Sequence, residues 1–182
     1  MSKVIIFPTD TVYGIGTPIF DLDGIERIYK IKKRDKNKPL ACLCANIDQI
    51  KDIAILDDIA IKLINKFLPG PLTLVLKSNN NVKEKIGYET IGVRIPNSII
   101  AKNILLANGP MLTTSVNDSG SVPENEFLPI LNKYEDDVDL IYDTNIKSSN
   151  IPSTVVSIIN NDIKILRIGE IKKEDIISVI SL

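Results

Sequence analysis

The chain has no histidine and no tryptophan, and the first absence removes whole classes of chemistry. Serine or cysteine nucleophiles activated by imidazole, and proton relay through imidazole, are excluded. Cysteine is scarce as well, for the only two residues fall in Cys42-Leu43-Cys44, inside an apolar run. With no histidine to join them they fit neither a disulfide framework nor a zinc site, and they point to a reducing compartment, the cytoplasm. No apolar run approaches the roughly 20 residues that span a bilayer, and the stretch after Met1-Ser2-Lys3 is too short for a signal peptide. No membrane is expected among its partners. The usual phosphate loops are missing too: there is no GxxxxGK pattern, and Gly14-Ile15-Gly16 lacks the third glycine and the following helix of a dinucleotide fingerprint. Any phosphate must be held by side chains.

Arginine is the other scarce residue. Only Arg27, Arg34, Arg94 and Arg167 occur, in a composition that otherwise favours lysine. A guanidinium offers a planar fork that matches phosphate or carboxylate and that an ammonium cannot reproduce. Arg34, Arg94 and Arg167 each fall at the end of a structural element. Net charge is −1, yet Lys30, Lys32, Lys33, Arg34, Lys36 and Lys38 crowd into one short stretch and form a local anion trap. Asp21 or Asp23 can cap a helix with the apolar face Ile25, Ile28 and Tyr29. Lys32 continues that face, so it should point inward while Lys30 and Lys33 stay wet.

At 182 residues the chain is long enough for one ordinary domain, residues 1–182, burying roughly 70% of its unfolded surface. Strand-like runs recur at 3–7, 40–45, 72–77, 90–95, 111–116, 139–143, 154–159 and 163–168. Helical patterns cover 22–32, 57–67, 98–107 and 172–180, with a weaker one at 124–134 that Pro129 disturbs. This order predicts an α/β fold with a large mixed sheet, and Asn160-Asn161-Asp162 reads as a hairpin turn that makes its C-terminal part antiparallel. The apolar run Val4-Ile5-Ile6-Phe7 leads straight into Pro8-Thr9-Asp10-Thr11-Val12-Tyr13-Gly14, a strand end that opens a binding site. Asp10 reads either as a group that orients an amine or metal or as a cap on nearby backbone, and Tyr13 as groove wall or core. Pro69-Gly70-Pro71 reads as a rigid turn and Thr73 as structural.

Seven segments in one order resemble the YrdC-like, or TsaC-type, threonylcarbamoyl-AMP synthases over nearly the whole chain. They are Pro8 to Gly14, Ile28 to Arg34 followed by Lys38-Pro39-Leu40, Pro69-Gly70-Pro71-Leu72-Thr73, Val93-Arg94-Ile95-Pro96, Thr114-Ser115-Val116-Asn117, Pro152-Ser153-Thr154-Val155, and Leu166-Arg167-Ile168-Gly169. The resemblance implies a twisted open mixed sheet flanked by helices, with a basic concave groove in which L-threonine, bicarbonate and ATP become threonylcarbamoyl-AMP and pyrophosphate. The product would serve tRNA modification beside the anticodon through a downstream threonylcarbamoyl transferase complex.

By position, Lys32, Arg34, Ser115 and Asn117 match the family's catalytic tetrad. Lys32, Arg34, Lys38, Thr90, Ser115, Asn117 and Arg167 resemble its ATP contacts, and Thr11, Arg94, Thr113 and Ser153 its threonine contacts. Mg2+ is implied with ATP, and no metal site on the protein. Some relatives carry a histidine shortly after the Pro-Leu pair, where this chain has Cys42-Leu43-Cys44. The common Leu-Arg-Pro-Gly appears as Leu166-Arg167-Ile168-Gly169. The mechanism implied needs no protein nucleophile, which a histidine-free chain accommodates.

Two other classes compete. An RNA-binding module would use the 30–38 patch on tRNA or double-stranded RNA, but an isoelectric point near 5.6 and 5% aromatic residues oppose it. A carbamoyl-phosphate-dependent transferase would normally have accompanying domains.

Overall fold

A computed structural model describes residues 2–118, 120–143, 148–160 and 162–181. Nine strands pair into one sheet: β1 (Ile5–Phe7), β2 (Gly14–Pro18), β3 (Ala41–Leu43), β4 (Leu72–Lys77), β5 (Thr90–Arg94), β6 (Met111–Ser115), β7 (Leu140–Ile141), β8 (Thr154–Ile159) and β9 (Asp162–Arg167). Their spatial order is β7-β1-β2-β6-β3-β5-β4-β8-β9, with parallel pairs at β1·β7, β3·β5 and β4·β8 and antiparallel pairs elsewhere. The expected mixed sheet is therefore present. The expected hairpin joins β8 to β9, and Ile159 stands opposite Asp162. Asn160 takes φ 54°, a left-handed turn conformation that asparagine tolerates, while Asn161 lies outside the described residues.

Among the described residues seven helices accompany the sheet: α1 (Leu22–Ile31), α2 (Ile47–Lys51), α3 (Asp58–Phe67), α4 (Asn80–Ile86), α5 (Ile99–Asn108), α6 (Phe127–Tyr134) and α7 (Lys173–Ile180). Side-chain caps start the first five, with Asp21, Asn46, Asp57, Asn79 and Ser98 each accepting from a backbone N–H in the first turn. Pro129 falls in the first turn of α6, where its missing N–H has no partner to lose, so it delays that helix rather than breaking it. Three elements were not expected. β2 is built on Gly14, Gly16 and Pro18, which are poor strand formers, and α2 and α4 are too short to show a helical period.

The alternation along the strands gives the sheet two unlike faces. One row runs Thr17, Leu112, Cys42, Val93, Leu74, Val156 across six neighbouring strands, and each is fully buried. This face joins the main core, to which α1 to α4, α6 and α7 contribute apolar side chains. The adjacent row on the other face runs Gly16, Thr113, Ala41, Gly92, Val75. Among the described helices only α5 packs on that face, at one corner, where Ala101, Ile104 and Leu105 meet Ile5, Phe7, Leu43 and Met111. The rest lies open. No described helix is long and apolar enough to cross a membrane.

Gly24 in α1 tests the packing between that helix and β2. Helix propensity alone favours Gly24→Ala by about 1 kcal/mol, yet an added Cβ would collide with the Thr17 hydroxyl. Overpacking of this kind costs about 1–3 kcal/mol, so urea unfolding should show the variant to be less stable than wild type. A more stable variant would overturn the packing.

Candidate active site

The open face forms a cleft of about 500 Å3, lined by three of the four arginines, Arg34, Arg94 and Arg167, and by no aspartate or glutamate among the described residues. Nine of the eleven residues selected from the sequence line it. The register divides them by strand end. Thr90, at the start of β5, shares its end of the cleft with Arg34, Ser115 and Asn117, whereas Arg94, at the close of β5, lies near Thr11, Thr73 and Ser153. Thr113 occupies the floor between them, beside Ala41. The two ends are about 13 Å apart at 3.3 Å per strand residue.

At the Thr90 end the tetrad is only partly one network. The Ser115 hydroxyl donates to Asn117 Oδ1 at 2.7 Å, and the Asn117 amide donates to Ser121 O at 2.6 Å. The Lys32 ammonium, 2% exposed as the helical spacing predicted, donates to Ser115 O at 2.5 Å, Asn117 O at 2.6 Å and Asn117 Oδ1 at 3.0 Å. Its three protons are thus committed to the 115–117 turn, and Lys32 does not line the cleft. It shapes the site from behind. Burial and the nearby Arg34 guanidinium pull its pKa down to about 8.

Arg34 is held apart from that network. Its Nε donates to Lys38 O at 2.8 Å and its Nη2 to Pro39 O at 3.2 Å. The Tyr29 hydroxyl donates to the same Lys38 carbonyl at 3.1 Å and pairs with Tyr88 at 3.2 Å, so the 34–39 loop is tied down next to Thr90. Lys38 contributes its backbone there, while its exposed side chain does not line the cleft. The basic cluster therefore separates into unlike parts: Lys32 is buried, Lys36 pairs with Glu26, and Lys30 and Lys33 face water.

At the other end the Arg94 guanidinium is 6% exposed and uses three of its five N–H groups within the protein. Nε donates to Gly70 O at 3.0 Å, Nη1 to Thr11 Oγ1 at 2.7 Å and Nη2 to Asp10 Oδ1 at 2.5 Å. Asp10 is thus an ion-pair partner of Arg94 rather than a backbone cap. Burial lowers the Arg94 pKa, against the attraction of Asp10 and Glu170. Ser153 shares a 2.8 Å hydrogen bond with Thr73, which also lines the cleft. Arg167, matched by sequence to the nucleotide, donates to Ser153 O at 2.8 Å and to Ser153 Oγ at 3.2 Å. Its place is beside the residues matched to threonine. Of Cys42-Leu43-Cys44 only Leu43 lines the cleft, both cysteines being buried in the core behind it. Tyr13 both touches the cleft and joins the core. Thr73 and Leu43 were recoverable from the alternation of β3 and β4, but Asp10 had no such signal because its partner is 84 residues away.

A cleft on the open face of a mixed sheet, with guanidinium groups at both ends and hydroxyls between, defines a class of protein that grips phosphate and carboxylate with side chains instead of a glycine-rich loop. The Sua5/YciO/YrdC family model, described as telomere recombination, matches residues 1–169, and the chain belongs to that family. A putative threonylcarbamoyl-AMP synthase of Methanocaldococcus jannaschii is 34% identical over 93% of this chain and 80% of its own length. The crystal structure of Pyrococcus abyssi Sua5 complexed with L-threonine superposes with a TM-score of 0.91 at 31% identity, over 98% of this chain. This chain spans 54% of that longer protein. Escherichia coli YciO gives a TM-score of 0.83 at 29% identity over 94% of this chain and 85% of its own.

The buried ammonium gives a pH test. Unfolded, Lys32 would hold its proton to about pH 10.4, whereas folded it releases it near 8. Between those values the unfolded state binds more protons, so the contribution of Lys32 to stability rises with pH and its burial penalty is greatest below pH 8. Denaturant unfolding at pH 7.5 and pH 10 should therefore move the balance between wild type and Lys32→Met towards wild type at the higher pH. Parallel pH dependence in the two proteins would refute the assignment.

Proposed function

We propose that this chain makes L-threonylcarbamoyl-AMP from L-threonine, bicarbonate and ATP, releasing pyrophosphate. The observation that carries this reading is the division of the cleft: one end gathers Arg34, Thr90, Ser115 and Asn117 around a space fit for a nucleotide, while the other presents a buried arginine with two spare N–H groups and neighbouring hydroxyls. The threonine carboxylate takes the spare N–H on each terminal nitrogen of Arg94, a bidentate pair. Ser153 reads the substrate hydroxyl or amine, Thr11 acts through the orientation of Arg94, and Thr113 forms the floor.

At the nucleotide end Arg34, the Ser115–Asn117 turn braced by Lys32, and Thr90 hold the nucleotide, with Lys38 on the outer rim. Arg167, near the threonine end, meets phosphate oxygens where the two substrates approach. The described residues contain no group of three or more potential metal ligands from histidine, cysteine, aspartate and glutamate, and the cleft wall carries no carboxylate. Mg2+ therefore enters as part of the MgATP substrate, held by the phosphates.

The amine of threonine takes up bicarbonate as a carbamate. A carbamate oxygen then attacks the α-phosphorus and pyrophosphate departs. The protein contributes alignment and positive charge and no nucleophile. The product serves tRNA threonylcarbamoylation by a downstream transferase complex in the cytoplasm, and the exposed lysines near the rim are suited to contact with tRNA.

Pyrophosphate release tests this directly. It should require MgATP, L-threonine and bicarbonate together. Arg94→Lys should raise the KM for L-threonine by about tenfold to a hundredfold, the loss of a charge-assisted pair, and leave the KM for MgATP nearly unchanged. Arg34→Ala should do the reverse. A folded chain that releases no pyrophosphate under any combination, yet binds RNA with steep salt dependence, would replace the synthase reading with an RNA-binding module.

A further inference from the structure

We propose that Asp10 binds the α-ammonium group of the amino-acid substrate and takes the proton that this group must lose before its nitrogen bonds to the bicarbonate carbon. This assignment deepens the synthase reading and rests on it. It starts from the way Asp10 is held. One oxygen, Oδ1, accepts from Arg94 Nη2 at 2.5 Å, while no described residue donates to Oδ2. The Asp10 side chain is 17% exposed against 7% for Arg94, so the carboxylate keeps an outlet to solvent that its partner lacks.

An α-amino acid carries its ammonium and carboxylate on one carbon. A substrate whose carboxylate rests on the spare N–H groups of Arg94 must hold its ammonium within a few ångströms of that guanidinium, and Asp10 is the carboxylate bound there. The other polar side chains at this end are neutral hydroxyls or cations with partners inside the protein, and none carries the negative charge that an ammonium seeks. Thr9 donates its hydroxyl proton to Val12 O, which leaves Thr11 to donate to Thr9 and accept from Arg94. Gly70 O accepts from Arg94 Nε, and Ser153 is shared between Thr73 and Arg167. Among the described residues, the cleft wall itself offers neither lysine nor carboxylate; Asp10 borders that wall between the lining residues Thr9 and Thr11 and is held to it by Arg94, and the sequence has no histidine. Lys32, at the far strand end, cannot reach.

The step balances. An ammonium proton moves to Asp10 Oδ2, the nitrogen lone pair forms the C–N bond to bicarbonate, and the carbon's hydroxyl leaves as water with the second nitrogen proton. The carbamate remains with one N–H, and Asp10 returns its proton to solvent. The same carboxylate offsets the charge of Arg94 before substrate arrives, so the empty site does not hold an uncompensated buried cation.

Equilibrium binding of L-threonine and of (3R)-3-hydroxybutanoate, which lacks the ammonium, separates the alternatives. Wild type should prefer L-threonine. Asp10→Asn should weaken L-threonine binding by about tenfold to a hundredfold, leave 3-hydroxybutanoate nearly unchanged, and lower kcat for pyrophosphate release, with Asp10→Glu recovering part of both. Glu170→Gln, whose carboxylate also influences Arg94, should alter neither preference nor kcat. Equal loss of both ligands in Asp10→Asn would mean that Asp10 only orients Arg94 and would overturn the proposal. So would unchanged threonine binding and turnover. Should Asp10→Asn fail to fold, the wild-type preference still decides, since equal affinity for the two ligands refutes an ammonium-reading carboxylate. A wild-type chain that binds L-threonine but is indifferent to the ammonium sinks only the Asp10 assignment, whereas one that binds neither ligand sinks the synthase reading and this proposal with it.

Discussion

Period-two alternation across six strands is the constraint on which the site depends. The strands send mostly apolar residues to one face and mostly small or polar ones to the other, so a single sheet builds both the core and the floor of the cleft. The floor stays concave because Gly14, Ala41 and Gly92 leave the space that larger side chains would fill. An added Cβ at Gly14 or Gly16 would press against Thr113 at 2.7 Å. A one-residue slip in any of these pairings would place leucine or valine in the cleft and a hydroxyl or guanidinium in the core. Register and site are therefore specified by the same side chains.

Two buried cations impose the second constraint, and the protein meets it in two ways. Arg94 is neutralised by a carboxylate and by neutral acceptors, and breaking a buried pair of this kind typically costs about 3–5 kcal/mol. Lys32 has no carboxylate at its ammonium. It is satisfied by two backbone carbonyls and one side-chain amide, and burial together with the Arg34 charge loosens its hold on the proton. Each arrangement fixes a short segment beside the cleft: Pro8 to Val12 at one end, and Ser115 to Asn117 at the other.

Much of this was legible in the sequence, for reasons that can be located. β4 and β8 were readable because their branched and apolar residues end abruptly, and Thr-Ile-Gly-Val-Arg in β5 shows the two faces directly. The inward turn of Lys32 followed from helical spacing alone. β2 was hidden, because its glycines serve close packing against Thr113 rather than strand propensity. The gathering of nine expected residues into one cleft was foreseeable only through the resemblance of the motifs. Long-range partners were not: nothing local joins Asp10 to Arg94, Thr73 to Ser153 or Tyr29 to Tyr88, and only the tertiary packing of distant strands, loops and α1 brings those pairs within hydrogen-bonding range.

The two ends of β5 carry unlike sets of polar side chains, with a short floor of small residues between them. Such a layout is modular. Substitutions around Arg94, Leu43 and Ser153 fall about four strand residues from Arg34 and Asn117, so one end of the cleft can be reshaped while the side chains of the other stay in place.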